Sequence, residues 1–367
     1  MSSFYKILDN TKDIVSTRTL LHEAIPLTGT IVSGTYADAN IKNFAHGMFQ
    51  SVYDYPYLSS SANHIFDIAV GYSSDSALSG AANSQNSKKI NVYNQMAQVL
   101  MGYDHTGSIQ KFDEDGNITD GGSKIRECFF LNFSRLLVKD EIKKGSFQLD
   151  LGVTDGFAYT GTTFNQRIRI TDVSGSDGYK VNSPAGEYGI LFATASTAGN
   201  VLKANQHFPV GLLFYQAGVA VISGSVFRAS NDDANGILHT DVNSSGLGPT
   251  AGNTKGFNFI TGSTIEATSD GIRNRIYNLQ FNNTTELNST IYFCRMNHNE
   301  FNYSTNPTYL NSGKIRVKDK SSDVPVAYVT TIGLYNSNNE LMATAKLSEP
   351  LRKDPSQEYT IRCRLDF

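Results

Sequence analysis

The segment Asp113-Glu114-Asp115-Gly116-Asn117 puts side-chain oxygens at the first, third and fifth places of a loop, the spacing with which a calcium loop begins. The later places break the pattern: Ile118 stands where glycine makes the sharp turn, and Lys124 where a bidentate glutamate closes the shell. The segment therefore predicts a turn, with a weak cation site over Asp113–Asn117 as the alternative. The other signatures of catalysis are missing. There is no Gly-x-Ser-x-Gly elbow, no Gly-x4-Gly-Lys-[Ser/Thr] phosphate loop and no His-Glu-x-x-His zinc helix. Gly246-Leu247-Gly248-Pro249-Thr250-Ala251-Gly252 misses the dinucleotide spacing by one residue and follows no strand pattern, so it reads as a glycine-rich turn. The histidines, among them His22, His46, His64, His207 and His298, show neither i, i+4 pairing nor a Cys-x-x-Cys companion. Cys128, Cys294 and Cys363 are odd in number and far apart in apolar segments, which predicts buried free thiols. Paired carboxylates for glycoside hydrolysis depend on a separation that only the fold sets. Tryptophan, a common sugar-stacking platform, is absent although there are 19 Tyr and 21 Phe. The sequence thus predicts no catalytic residue, no cofactor and no resident metal.

Aromatic side chains cluster instead. Tyr53, Tyr55 and Tyr57 flank Pro56, and Phe301, Tyr303 and Tyr309 flank Pro307, in turn-bounded segments with Asn and Ser. Tyrosine offers large contact area at low entropic cost, so Tyr55, Tyr57, Phe301, Tyr303, Tyr309 and Tyr335 are candidate interface residues. Ordinary core aromatics are the competing reading of the same residues.

The elements that must position them are mostly strands. In 367 residues only 18% are charged and 40% hydrophobic, with 31 glycines, a balance that suits short strands and many turns. The formal charge of −3 lacks the basic excess that phosphate-backbone binding needs, which argues against nucleic acid as a partner. Met1–Asn10 has no basic stretch followed by an apolar run, and Val210–Phe227 is interrupted by Gln216, Gly218, Ser223 and Gly224. Neither a signal peptide nor membrane insertion is expected, and a protein made in the cytoplasm is.

Helical spacing holds only where Ile90, Tyr93, Met96, Ala97 and Leu100 recur, which predicts one helix over about 87–101. Cys128–Val138 and Phe147–Val153 alternate on either side of Lys143-Lys144-Gly145 and predict a hairpin. Ala229–Lys255 carries almost no apolar residue and predicts a long exposed loop or partner-facing arm. Val326, Tyr328, Thr330, Ile332 and Leu334 predict one face of a strand that turns at 336–339 and returns through Leu341, Ala343, Ala345 and Leu347. The last residues alternate with Tyr359, Ile361, Cys363, Leu365 and Phe367 inward, and this strand is expected to join that hairpin in one antiparallel sheet. The expected fold is mainly β and multi-domain, with antiparallel sandwich-like or barrel-like modules. A β-rich domain with the helix spans 1–153, a Gly/Ser/Asn-rich β domain 154–275 and an antiparallel β domain 276–367.

Two stretches resemble a known family. Thr330-Thr-Ile-Gly-Leu-Tyr-Asn-Ser-Asn-Asn-Glu-Leu-Met-Ala-Thr-Ala-Lys-Leu347 resembles a "T-x-I-G-L-Y, turn, E-L-x-A" hairpin of baseplate and fibre-attachment proteins of contractile-tailed bacteriophages. Cys294–Tyr309, and to a smaller extent Asn43–Tyr57, resembles segments of virion structural proteins of large marine myoviruses. The resemblance covers the C-terminal quarter well, the N-terminal third loosely and the middle hardly at all. It implies a non-enzymatic structural subunit of the virion tail, in the baseplate wedge or its periphery, assembled in the host cytoplasm. Its implied partners are other tail or baseplate proteins, in a symmetric homo- or hetero-oligomer. A receptor-binding tail fibre or adhesin for host surface glycans, and a tail-associated hydrolase, are the alternatives.

Overall fold

The structure, a computed structural model, describes residues 5–21, 38–118, 122–137, 140–153, 166–196, 201–203, 207–229, 236–239, 260–261, 263–304, 307–312, 314–316, 318 and 320–366. The fold is mainly β, built from several antiparallel sheets. It divides into a larger unit, His22–Thr285, and a smaller one that joins Met1–Leu21 to Glu286–Phe367.

In the smaller unit, β1 (Ile14–Leu21) is the first strand of the chain. The larger unit then carries β2 (Ile41–Asn43), β3 (Gln50–Tyr53), β4 (His64–Tyr72), β5 (Phe112–Asp113), β6 (Lys124–Ile125), β7 (Glu127–Asn132) and β8 (Glu141–Ile142). It continues through β9 (Gln148–Gly152), β10 (Arg167–Thr171), β11 (Tyr188–Ala195), β12 (Phe208–Phe214), β13 (Val219–Ser223) and β14 (Ile276–Gln280). Ten of these strands form one antiparallel sheet in the order β14-β9-β10-β11-β12-β13-β7-β4-β3-β2. Its middle is covered on both faces, since every residue of β13 is buried and β12 is buried from Val210 to Phe214. Continuous apolar runs rather than strict alternation are the sequence form of such strands. Phenylalanines link the layers: Phe133 lies 6.0 Å from Phe66, 5.9 Å from Phe147 and 5.5 Å from Phe281 between ring centroids.

The helix expected from periodicity is α1 (Asn86–Leu100), which buries Lys89, Val92, Tyr93, Ala97 and Leu100. It ends where Gly102, at φ +77°, sends its N–H back to the carbonyls of Ala97 and Gln98, a left-handed cap that glycine adopts without strain. The helix lies close on β4 because Gly71 has no side chain there. Lys89, fully buried, donates to the carbonyls of Ile260 (2.5 Å) and Ser263 (2.7 Å). A second helix, α2 (Ile265–Arg275), is not anticipated by the sequence pattern. Its Thr264 hydroxyl accepts the Ala267 N–H at 3.1 Å as an N-cap, and Arg273 and Arg275 stand in the last turn, where cations suit the helix dipole.

Strand pairing departs from the expected hairpins. Cys128–Val138 and Phe147–Val153 do not pair with each other: β7 lies between β13 and β4, while β9 lies between β10 and β14. Pairing also crosses residue 153, because β9 and β10 are neighbours. The stretch 229–255 contributes core at its described positions, since Ala229, Ile237 and Leu238 are buried and Leu238 bridges to both Leu202 and Ala229. Residues 230–235 and 240–255 lie outside the described residues, as does Gly246–Gly252.

β15 (Asn283–Met296) begins in the larger unit, where Asn283 and Thr284 pair with β8, and runs on into the smaller. There β16 (Leu310–Asn311) and β17 (Lys314–Ile315) form a small ladder, and β18 (Ala327–Tyr335) and β19 (Leu341–Lys353) a long hairpin. β20 (Tyr359–Asp366) pairs with β15, in the order β1-β15-β20. This corrects the expectation that the last strand joins the β18–β19 hairpin. The short connection brings β20 back beside the hairpin in sequence, but β15 offers eight consecutive partners from Ser289 to Met296.

Candidate functional site

The chemistry-bearing groups of the larger unit are used to hold it together. Asp172, buried, accepts the N–H of Phe147 at 3.0 Å and that of Gly145 at 2.7 Å, and the hydroxyl of Tyr215 donates to it at 3.2 Å. Burial pushes its carboxyl up to about 6, against the opposing pull of these three donors. Burial, and then Asp172 itself, push the Tyr215 phenol up. Next to them Lys144 bridges Glu187 (2.7 Å) and Glu141 (3.2 Å) and lies 5.1 Å from the ring centres of both Tyr179 and Tyr215. These carboxylates, phenols and the ammonium pair with one another where β10 and β12 end and β11 begins, which is the arrangement of a structural network.

The candidate cation loop is closed in the same way. Phe112–Asp113 and Lys124–Ile125 pair as β5 and β6, so the Lys124 ammonium sits on the Asp113 carboxylate, and Gly116 makes the turn at φ +71°. Within each unit, no three His, Cys, Asp or Glu ligand atoms among the described residues converge as a metal would need. His64 contacts Asp67 at 2.7 Å and His298 contacts Glu358 at 3.2 Å. Burial raises the Cys128 thiol well above its ordinary range and the Cys294 thiol to about 11, which keeps both protonated at neutral pH.

The aromatic candidates divide between the units. Tyr55 and Tyr57 are exposed after β3 in the larger unit, where Tyr57 lies 6.3 Å from Tyr53. In the smaller unit Phe301, Tyr303 and Tyr335 are exposed, Tyr303 by 52%. Tyr309 is half-buried in a 3-10 turn, its hydroxyl without a hydrogen-bond partner among the described residues, so it is the candidate with the weakest claim to a contact role.

The sequence pattern misses Tyr5, Tyr328, Leu341 and Met342, all exposed in the smaller unit. Tyr5 packs on Tyr335 with ring centres 4.8 Å apart. Alternation places Tyr328, Ile332 and Leu334 on one face, but the ladder shifts between Val329 and Thr331, where β19 takes up extra residues around Pro350. Extra residues of this kind change which side chains meet across the ladder. Ile332 and Leu334 lie half-buried while Tyr328 is exposed, and Leu341, opposite Tyr335 at a second shift, is exposed. Between Ala327 and Lys353, which close its base, the hairpin has no buried residue on either face.

The loop that carries Phe301 and Tyr303 is fixed from beneath. Lys353 is fully buried and donates to Asn302 Oδ1 (2.8 Å), the Asp354 carbonyl (3.0 Å) and the His298 carbonyl (3.2 Å). Lys6 binds Glu300 at 2.6 Å, and Phe301 is held at φ +56°, a conformation unfavourable to a bulky residue. Anchors held in this way lose little entropy on binding. Replacing Lys353 by methionine removes the tie, and the expected result is faster amide exchange across 297–303 with β15 and β20 protection unchanged. Equal loop protection in both proteins would show that the tie does not hold the loop.

A groove of about 310 Å³ lies between β20 and the hairpin. It is lined by Ile332 and Leu334 and by the consecutive runs 343–347 and 361–365. No protein-family model, curated protein or solved structure matches the chain. Among the described residues no helix is long and apolar enough to cross a membrane.

Proposed function

We propose that this chain is a non-enzymatic assembly subunit that works by binding other proteins, chiefly through its smaller unit. The observation that carries the reading is the β18–β19 hairpin. Two-stranded ribbons are marginal alone, and this one buries no residue between Ala327 and Lys353, carries exposed Tyr335 and stands with exposed Tyr5, Phe301 and Tyr303. Contact with a partner would cover it. Asp172, Tyr215, Lys144, Glu141 and Glu187, by contrast, pair internally in the larger unit.

The assembly we propose is the tail of a contractile bacteriophage, most specifically its baseplate. This rests on the resemblance of Thr330–Leu347 and Cys294–Tyr309 to tail structural proteins. It is supported by the exposure of the same two segments, which is where a subunit of low net charge would meet its neighbours. The test is cryo-electron microscopy of particles carrying a labelled copy of the chain. Density for the label at a repeated position on the baseplate is expected. Density at fibre tips would favour the receptor-binding alternative, and particles without the chain would overturn the reading.

A further inference from the structure

We propose that the groove between β19 and β20 receives an extended, acidic segment of another protein chain, which adds as a strand to the open edge of β20. The inference rests on the assembly reading above and names the chemistry of one partner.

The lining shows that the groove follows strand edges. A groove made by one face of a strand is lined by every second residue, because successive side chains point to opposite faces. Here residues 343–347 and 361–365 all contribute, as they do when a cleft runs along the strand itself, while Ile332 and Leu334 supply an apolar floor. Both edges are open among the described residues. β20 is the last strand of the order β1-β15-β20, and β19 pairs only with β18. In an antiparallel ladder alternate residues turn their N–H and C=O outward at such an edge, where an added strand can bond them.

Charge selects the occupant. The lining contains Lys346, Arg362 and Arg364 and no acidic residue. Arg364 is paired with Asp366 at 2.7 Å, whereas Lys346 and Arg362 have no acidic partner among the described residues. Basic side chains on an edge also oppose its pairing with a second copy of itself, since like charges would face each other across the new ladder. An incoming strand with alternating apolar and acidic residues meets both demands: apolar side chains reach Ile332, Leu334 and Leu365, and carboxylates reach Lys346 and Arg362.

The test uses the full-length chain and a labelled peptide of ~10 alternating valine and glutamate residues, long enough to pair with a typical strand. One control peptide has lysine for glutamate, and another has alternate backbone amides N-methylated. Fluorescence anisotropy is expected to show binding of the glutamate peptide that weakens with salt. The lysine peptide should bind about tenfold or more weakly, and methylation should abolish binding. The Lys346→Glu/Arg362→Glu protein, altered only at exposed positions, should reverse the preference between the two charged peptides. Hydrogen exchange should place the new protection within β19 and β20. Absence of binding, equal binding of both charged peptides, or an unchanged preference in the double variant overturns the assignment. If that happens while the chain is found in particles, the groove assignment alone has failed. If the peptide binds as expected and particles lack the chain, the groove assignment stands and the tail reading has failed.

Discussion

Replacing Gly71 by valine is expected to prevent folding of the larger unit, or to lower its melting temperature by about ten degrees. A Cβ on Gly71 would stand 2.6 Å from the Lys89 carbonyl oxygen and 2.8 Å from the Tyr93 nitrogen, both backbone atoms of α1 that no rotamer change can move. The helix must shift as a body. That strains the bonds of Lys89 to Ile260 and Ser263 and the bond of the Tyr93 hydroxyl to the Ile125 carbonyl, all of them buried or part-buried. Overpacking of this sort costs about 3 kcal/mol before the lost hydrogen bonds are counted, against total stabilities of about 5–15 kcal/mol. Gly80 is the control: its nearest neighbours would be side-chain atoms of Asn83 at 3.7 Å, so alanine there should leave thermal unfolding unchanged. A soluble Gly71→Val protein with the parent melting temperature would show that α1 does not lie where the structure puts it.

The second large effect is a pH dependence centred on Asp172. Its folded pKa, about 6, is above the value of 3.8 expected in the unfolded chain. Between about pH 4 and 6 the native state therefore holds the extra proton, and stability falls as pH rises through that window. A shift of this size corresponds to about 3 kcal/mol, fully present below pH 4 and lost above pH 6. Other charged groups lie nearby, among them Glu141, Glu187 and Lys144, so the difference between the parent and Asp172→Asn is the quantity to measure. Asparagine cannot ionise, and the advantage of the parent over the variant in urea unfolding should shrink by about 3 kcal/mol from pH 4 to pH 7. A difference that is constant with pH would contradict the buried placement of Asp172.

The contrast between what the sequence discloses and what it hides has a physical basis. α1 is legible because its buried face includes Val92, Tyr93, Ala97 and Leu100 at helical spacing. α2 is equally well buried, yet Thr268, Ser269, Asn274 and Arg275 lie on its covered positions, so no apolar stripe marks it. Ser269 instead satisfies its hydroxyl on the Ile265 carbonyl at 2.7 Å. Strand existence is readable from alternation, but partner choice is not. β7 finds β4 and β13 rather than the nearer β9, and β20 finds β15 rather than the hairpin. The candidate surface follows the same division. Aromatic type and turn context select Phe301, Tyr303 and Tyr335, which are exposed, whereas Tyr328 and Leu341, which alternation puts on one face with Ile332 and Leu334, are exposed beside two register shifts in β18–β19 that leave no trace in the pattern. Nothing in the spacing around Lys353 marks it for burial, and only the fold shows it buried beneath the Phe301 loop.

The central claim is that the smaller unit binds partner proteins through its exposed aromatics. Its most direct test is incorporation into particles of the Tyr303→Ala/Tyr335→Ala protein in competition with the parent. Both residues are about half exposed, so the unfolding free energy should change by less than about 1 kcal/mol. If they anchor an interface, each contributes about 2 kcal/mol of binding, and the variant should be under-represented in particles by at least about thirtyfold. Equal incorporation of variant and parent, with both folded, would contradict the claim.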